Sequence, residues 1–304
     1  MQSGLILGVL LGFGAAVCQS LSYLFSRLFV LQRHQTVLRL LVLGHLLMGA
    51  ISVFVLPLAW PEQMAPWQDW LWPLVGASGF YVLGQGAFFL ALKHAEASRA
   101  APLLGLKILV LAMITAGIMH QPLVPWQWVA VALATGAAFM LNYSGGSLNA
   151  PAIVGILAAC LFYSISDIHI RLLVDALALP SRMHASVLGA VMSYTLLGVA
   201  ALPAVLAIKP VRRGDFRYAV PFALAWLAAM FCLYGAFAYA GVVLGNIVQS
   251  TRGLISIALG VMIARRGWEH LEAKVSRRVL LRRLVAAAMM IGAIALYVWS
   301  GQDS

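Results

Sequence analysis

Charge is scarce in this sequence. Asp, Glu, Lys and Arg together make up 10% of its 304 residues, against about 25% in an ordinary soluble domain. That shortage excludes a soluble globular fold. Cysteine is nearly as rare: Cys18, Cys160 and Cys232 each stand alone inside an apolar stretch. They offer no CxxC spacing and no ligand set, so they read as small core residues rather than as disulfides or metal ligands. HExxH, Walker A and GxGxxG strings are absent, which leaves metalloprotease, ATP-driven and dinucleotide-binding readings without support. No cofactor and no metal are expected. Flexible linkers are almost missing too, the one Gly/Ser-rich stretch being NYSGGSLNAP over 142–151, near the midpoint of the chain.

What fills the sequence instead is apolar. Hydrophobic residues reach 63%, with a mean hydropathy of +0.95. About 20 helical residues cross a bilayer core, and ten such stretches can be drawn: about 4–26, 38–59, 71–92, 98–119, 126–142, 152–174, 185–207, 219–240, 243–264 and 282–299. The fold class is an all-α polytopic membrane protein with ten transmembrane helices. The net charge of +11 falls in the connections between spans, where it sets orientation, so nucleic acid is not the expected partner. The first span follows the N-terminus with no basic n-region, and a cleaved signal peptide is not expected.

Placing the cation-rich connections inside puts both termini outside, in a cytoplasmic (inner) membrane of bacterial type. Arg171 and Arg182 are the cations left on the outer face, beside Glu62, Asp69 and Asp303. Trp60, Trp67, Trp72, Trp126 and Trp299 fall at span ends, as interfacial tryptophan does. The basic stretch 264–283 reads as a topology anchor against anionic headgroups, so membrane lipids count among the partners. A homodimer is compatible with all of this.

Self-similarity divides the chain. A shift of about 144 sets Ser20, Ser22 and Arg27 on Ser164, Ser166 and Arg171; a shift of about 149 sets Gly86, Ala87 and Phe88 on Gly235, Ala236 and Phe237. The expected halves are 1–145 and 146–304, each of five helices. An odd helix number forces opposite orientations, which makes them two inverted five-helix repeats.

Two spans carry a cation near their middles: Lys107 in 98–120 and Arg252 in 243–264. An ionisable group at membrane depth costs about 2.5–3.5 kcal/mol on insertion scales, so it faces a cavity, a partner or a ligand. Two such cations attract a carboxylate or phosphate, which arginine can grip bidentately. The plainer reading pairs each cation internally. Asp167 is the acid near enough to matter. Its i,i+4 spacing to Arg171 favours a local helix salt bridge; a proton-coupling or gating role, pairing with Lys107 in one state, is the functional reading. In the ninth span Gly245, Gln249, Arg252 and Ser256 share a helical face, with Asn246 beside it. Tyr81, Gln85 and Phe88 share a face of the third span and suit a small organic solute. His45 and His169 read as hydrogen-bonded structural histidines.

Ten spans in two inverted halves, with the paired segments ALKHAEASRAAPLLGLKILVLAMI and AYAGVVLGNIVQSTRGLISIALGVMI, resemble the EamA-type members of the drug/metabolite transporter superfamily. The resemblance covers essentially the whole chain. It implies that the fourth and ninth spans line a substrate path, and its phosphate-translocator branch holds an anionic substrate with basic residues there. Two features depart from the family. His120, Glu269 and Glu272 stand where a glutamate often follows the fourth and ninth spans, and the charge bias puts the termini outside rather than inside. The expected function is a secondary active transporter of a small polar metabolite, an anionic solute favoured, working by alternating access with protons as a candidate coupling ion. Lys107 and Arg252 would hold the anion, with Gln85, Tyr81, Asn246 and Gln249 contacting the remainder. A rhomboid-like intramembrane serine protease is the enzyme alternative, from the GASG string at Gly76–Gly79. A channel is the third.

Overall fold

Helices account for all the regular structure among the described residues, and their order matches the ten stretches read from hydropathy. The computed structural model describes residues 2–33, 36–92, 94, 101–142, 149–208, 210–265 and 277–301. The helices are α1 (Gln2–Arg33), α2 (Val37–Ala59), α3 (Trp67–Leu92), α4 (Leu106–Gly117), α5 (Pro125–Asn142), α6 (Ala150–Ala176), α7 (Arg182–Ala201), α8 (Arg213–Ala240), α9 (Val242–Gln249), α10 (Arg252–Arg265) and α11 (Arg277–Ser300). A 3-10 turn, Ala101–Gly105, leads into α4, and a second, Pro203–Ala207, follows α7. Seven of the helices are long and apolar enough to cross a membrane, with shorter apolar helices over 103–117 and 125–141. The chain is a multi-pass membrane protein.

Local chemistry sets the helix ends. Thr36 Oγ1 accepts from Arg39 N at 3.3 Å to open α2, Asn149 Oδ1 accepts from Ala152 N at 3.1 Å to open α6, and Ser181 Oγ accepts from His184 N at 3.3 Å to open α7. Pro57, Pro73 and Pro221 lie inside α2, α3 and α8, as intramembrane helices tolerate when neighbours re-satisfy the freed carbonyls.

The ninth span differs from its expectation. Instead of one helix it is two, α9 and α10, parted at Ser250 and Thr251. The bonds there tighten to i→i+3, with Thr251 N on Val248 O at 3.1 Å and Leu254 N on Thr251 O at 2.9 Å. The straight stripe expected from Gly245 to Ser256 is therefore interrupted before Arg252.

The chain divides into two compact units that interleave the two halves of the sequence. Unit 1 is 1–78 with 169–240, and unit 2 is 79–168 with 241–304. In unit 1, α1 runs along α8 and α2 packs on α7 and α8. Small residues permit the approach: a Cβ on Gly49 would meet Gly198 Cα at 2.5 Å, and one on Gly8 would meet Ala240 at 2.7 Å. Where lipid supplies no hydrophobic drive between helices, such contacts supply van der Waals packing instead. In unit 2, α11 packs along α5, α5 holds α4 and its leading turn, and α9 lies against α4 and α11. Side chains such as Phe54, Leu58, Leu206 and Ile291 stay exposed, as lipid-facing residues of a multi-pass protein do.

Arg39, close to the start of the second span, is not a surface cation. It sits in α2, 4% exposed, with its Nη2 on Asp215 Oδ2 at 2.6 Å and Pro210 O at 2.7 Å. The same carboxylate accepts from Arg212 N at 2.9 Å. A buried acid near the start of α8 explains why this arginine leaves the surface.

Candidate functional site

Unit 2 contains a buried polar cluster drawn from three helices. Asp167 lies on α6, Lys107 is the second residue of α4, and Asn246 is in the middle of α9. Lys107 Nζ stands 2.6 Å from Asp167 Oδ2, and Asn246 Nδ2 donates to the same oxygen at 2.7 Å. The Asn246 amide also donates to Val242 O at 2.9 Å, which fixes its orientation on α9. Asp167 is 5% exposed, whereas the Lys107 side chain keeps 18%. The cation is thus the more approachable member of the pair.

The backbone around the lysine is pinned from α6. Ser164 Oγ donates to Lys107 O at 3.3 Å and to Cys160 O at 2.8 Å, while Cys160 Sγ donates to Leu103 O at 3.5 Å. Apolar packing of Ala91, Ile156 and Cys160 against Leu103, Leu104 and Val110 backs this seam.

One turn before Asp167 on α6, Tyr163 presents its ring to the lysine, with Nζ 5.8 Å from the ring centroid. At that distance a cation is attracted by the ring's negative face. Tyr163 packs against Tyr81 at 6.2 Å between centroids. Gly84 leaves the space for it, since a Cβ there would meet the Tyr163 ring at 2.7 Å. Gln85 Nε2 donates to Tyr81 Oη at 2.9 Å. Of the residues singled out from sequence, Lys107, Asp167 and Asn246 touch directly, and Tyr81 and Gln85 join through Tyr163. Tyr163 itself was missed, although its i,i+4 relation to Asp167 was a readable signal. Gln249 ends α9 and is buried; Arg252 opens α10 beyond the break and is half-buried.

The local Asp167–Arg171 bridge favoured by spacing does not form. Arg171 Nε bonds Asp175 Oδ2 at 2.7 Å, itself an i,i+4 pair, and its Nη1 reaches Phe237 O and Ala238 O at 2.6 and 2.5 Å. Arg182 Nη1 donates to Ala238 O as well, at 3.0 Å. These are the last carbonyls of α8, which have no intrahelical donors, so both cations serve as its cap. Asp167 is left to the lysine because Arg171 has a second acid and a helix terminus to satisfy.

The features behind the protease alternative do not assemble. Among the described residues Ser78 Oγ is buried without a hydrogen-bond partner, so none of the described histidines is poised as its base. His45 Nδ1 pairs with Leu41 O at 2.8 Å and its ring stacks on Tyr194. His169 packs on Gly76, where a Cβ would strike its ring. His120 follows α4 with a φ of 53°. Glu269 and Glu272 lie outside the described residues, as does most of the basic stretch 264–283.

Residues 6–143 match the EamA-like transporter family, which belongs to the drug/metabolite transporter superfamily. The family resemblance read from the sequence holds over that stretch, which is the first half of the chain. No curated protein matches the sequence significantly. Among solved structures, one described only as "Crystal structure of protein" is similar with a TM-score of 0.66, at 17% identity over 95% of each chain. That likeness is one of fold alone, along nearly the whole chain. Family and helices together support a transporter role.

Proposed function

From the premise that residues 6–143 are an EamA-like transporter segment, we propose that this chain is a secondary active transporter of a small polar solute bearing an anionic group. The observation that carries the proposal is Lys107, a cation on an intramembrane helix, held by Asp167 and Asn246 and still 18% exposed. In the resting cluster the Asp167 carboxylate occupies the place that a solute carboxylate or phosphate takes during transport. Arg252, at the first position of α10, supplies the second cation. Asn246, Gln249, Gln85 and Tyr81 contact the remainder of the solute, and Asp167 acts as the gate that recloses on Lys107.

The two-repeat plan supports alternating access. Lys107 and Arg252 each stand at the start of the longer helical segment of an interrupted span, after the turn Ala101–Gly105 in one case and the Ser250–Thr251 break in the other. Pro73 in α3 and Pro221 in α8 fall at nearly the same offset as the sequence matches. Interrupted helices at corresponding places in two halves are the usual frame of a midplane transport site. On this reading 1–145 and 146–304 are inverted repeats that rock about the site, in a cytoplasmic membrane with the cation-rich connections inside. The protein is a carrier rather than an enzyme, and an ion pair that closes off the cation suits a carrier better than an open channel.

A thermal-shift screen of the detergent-purified protein tests the solute class. Matched neutral, cationic, carboxylated and phosphorylated metabolites are compared, since a ligand at 100 times its Kd stabilises the folded state by about 2.7 kcal/mol. Anions alone should stabilise, and Lys107→Ala should remove the effect. Stabilisation by neutral or cationic members only, unchanged in Lys107→Ala, sinks the proposal.

A further inference from the structure

We infer that Asp167 takes up a proton when an anion binds at Lys107, so that solute and proton are carried together. The inference rests on the anionic-solute reading above and adds the co-substrate. Its ground is the sharing of a single carboxylate oxygen. Asp167 Oδ2 receives both the Lys107 ammonium at 2.6 Å and the Asn246 amide at 2.7 Å, in a residue 5% exposed. On this inference the anion draws the Lys107 ammonium away from that oxygen. A charged Asp167, held by the Asn246 amide, then faces the incoming anion, and two like charges in a buried site repel. Breaking one side of a buried pair is strongly unfavourable because the remaining charge is uncompensated.

A proton from water removes the conflict. It bonds to the Asp167 carboxylate, gives a neutral carboxylic acid, and leaves Lys107 as the cation for the solute. The balance is one proton and one anionic group gained, with no bond made or broken in the solute. The side chains set around Asp167 agree with this exchange. From α4 comes Lys107; from α9 comes Asn246, which can donate to a carboxyl as well as to a carboxylate; on α6 itself Tyr163 stands over Lys107. Arg252 of α10 is a second cation of this unit. Arg171, one turn along α6, is committed to Asp175 and the end of α8, and His169 lies against Gly76.

The purified full-length protein in detergent, weakly buffered and with a pH indicator, provides the test. Acetate, succinate and inorganic phosphate serve as small anionic probes. Wild-type protein should take up about one proton for each acetate or succinate bound, and acetate affinity should fall about tenfold per unit rise in pH above the range where acetate itself titrates. Asp167→Asn, a permanent mimic of the protonated side chain, should bind acetate with no proton uptake and no pH slope. The wild-type slope alone decides the matter if that variant does not fold. Anions that stabilise the protein equally at every pH, without proton uptake, overturn the coupling and leave the anionic-solute reading standing. No stabilisation by any of the three probes overturns both.

Discussion

Replacing Lys107 with methionine removes the ammonium but keeps a long apolar stem of similar volume. Asp167 then retains the Asn246 amide and loses its cation while remaining 5% exposed. Removing one member of a buried ion pair costs about 3–5 kcal/mol. The 18% exposure of the lysine side chain places this case at the lower end, about 3 kcal/mol. Replacing Asp167 with leucine should cost less, about 1–2 kcal/mol. The freed lysine is long enough to shift its head toward water and still packs on Tyr163. The double variant Lys107→Met, Asp167→Leu exchanges the pair for apolar contacts and should recover most of the loss, since apolar replacement of a buried pair is often neutral or better. Thermal unfolding in one detergent, with all four proteins side by side, gives the cycle. At roughly 2 °C per kcal/mol for a chain of this size, Lys107→Met should melt about 6 °C below wild type, with the double variant within about 2 °C. Strictly additive losses, with the double variant the least stable, would show that the two side chains do not interact and refute the cluster as described.

Three further outcomes follow from packing and charge. Arg39→Ala removes the cation bonded to Asp215, which is fully buried; a loss of about 3–5 kcal/mol is expected, read as a lower melting point that Asp215→Asn partly restores. Gly49→Val forces a side chain onto Gly198 Cα at the α2–α7 crossing. It should destabilise by about 1–3 kcal/mol or more, while Gly86→Val, where the added Cβ meets open space, should change melting little. Gly241 has φ 78° and ψ 164°, a conformation open essentially to glycine alone, so Gly241→Ala should cost about 1–3 kcal/mol.

The helices were legible because bilayer thickness converts directly into a length of apolar sequence, and 71–92 or 219–240 could hardly be anything else. The break at Ser250 and Thr251 was not legible: both residues are compatible with a helix, and only the structure shows their hydroxyls bonding back to Ile247 O at 2.6 Å and Val248 O at 2.7 Å, local bonds that compete with the helix ladder. Lys107, Asp167 and Asn246 were each readable as costly polar groups in apolar surroundings. Their meeting was not, because it depends on how α4, α6 and α9 are packed. Helical spacing misdirected the pairing of Asp167, since an i,i+4 arginine is a weak preference that Asp175 and the end of α8 outbid. The partner of Arg39 was not legible either. A cation close to a span end reads as a loop residue until its buried partner, 176 positions away, is in place.

The most direct measurement is uptake of a stabilising anion into proteoliposomes, comparing wild type with Lys107→Ala and Asp167→Asn. Saturable, trans-stimulated flux in wild type is predicted, lost in Lys107→Ala and no longer driven by a pH gradient in Asp167→Asn. Equal saturable flux in wild type and Lys107→Ala, or flux that rises linearly without saturation, would contradict a carrier whose site is the Lys107–Asp167 pair.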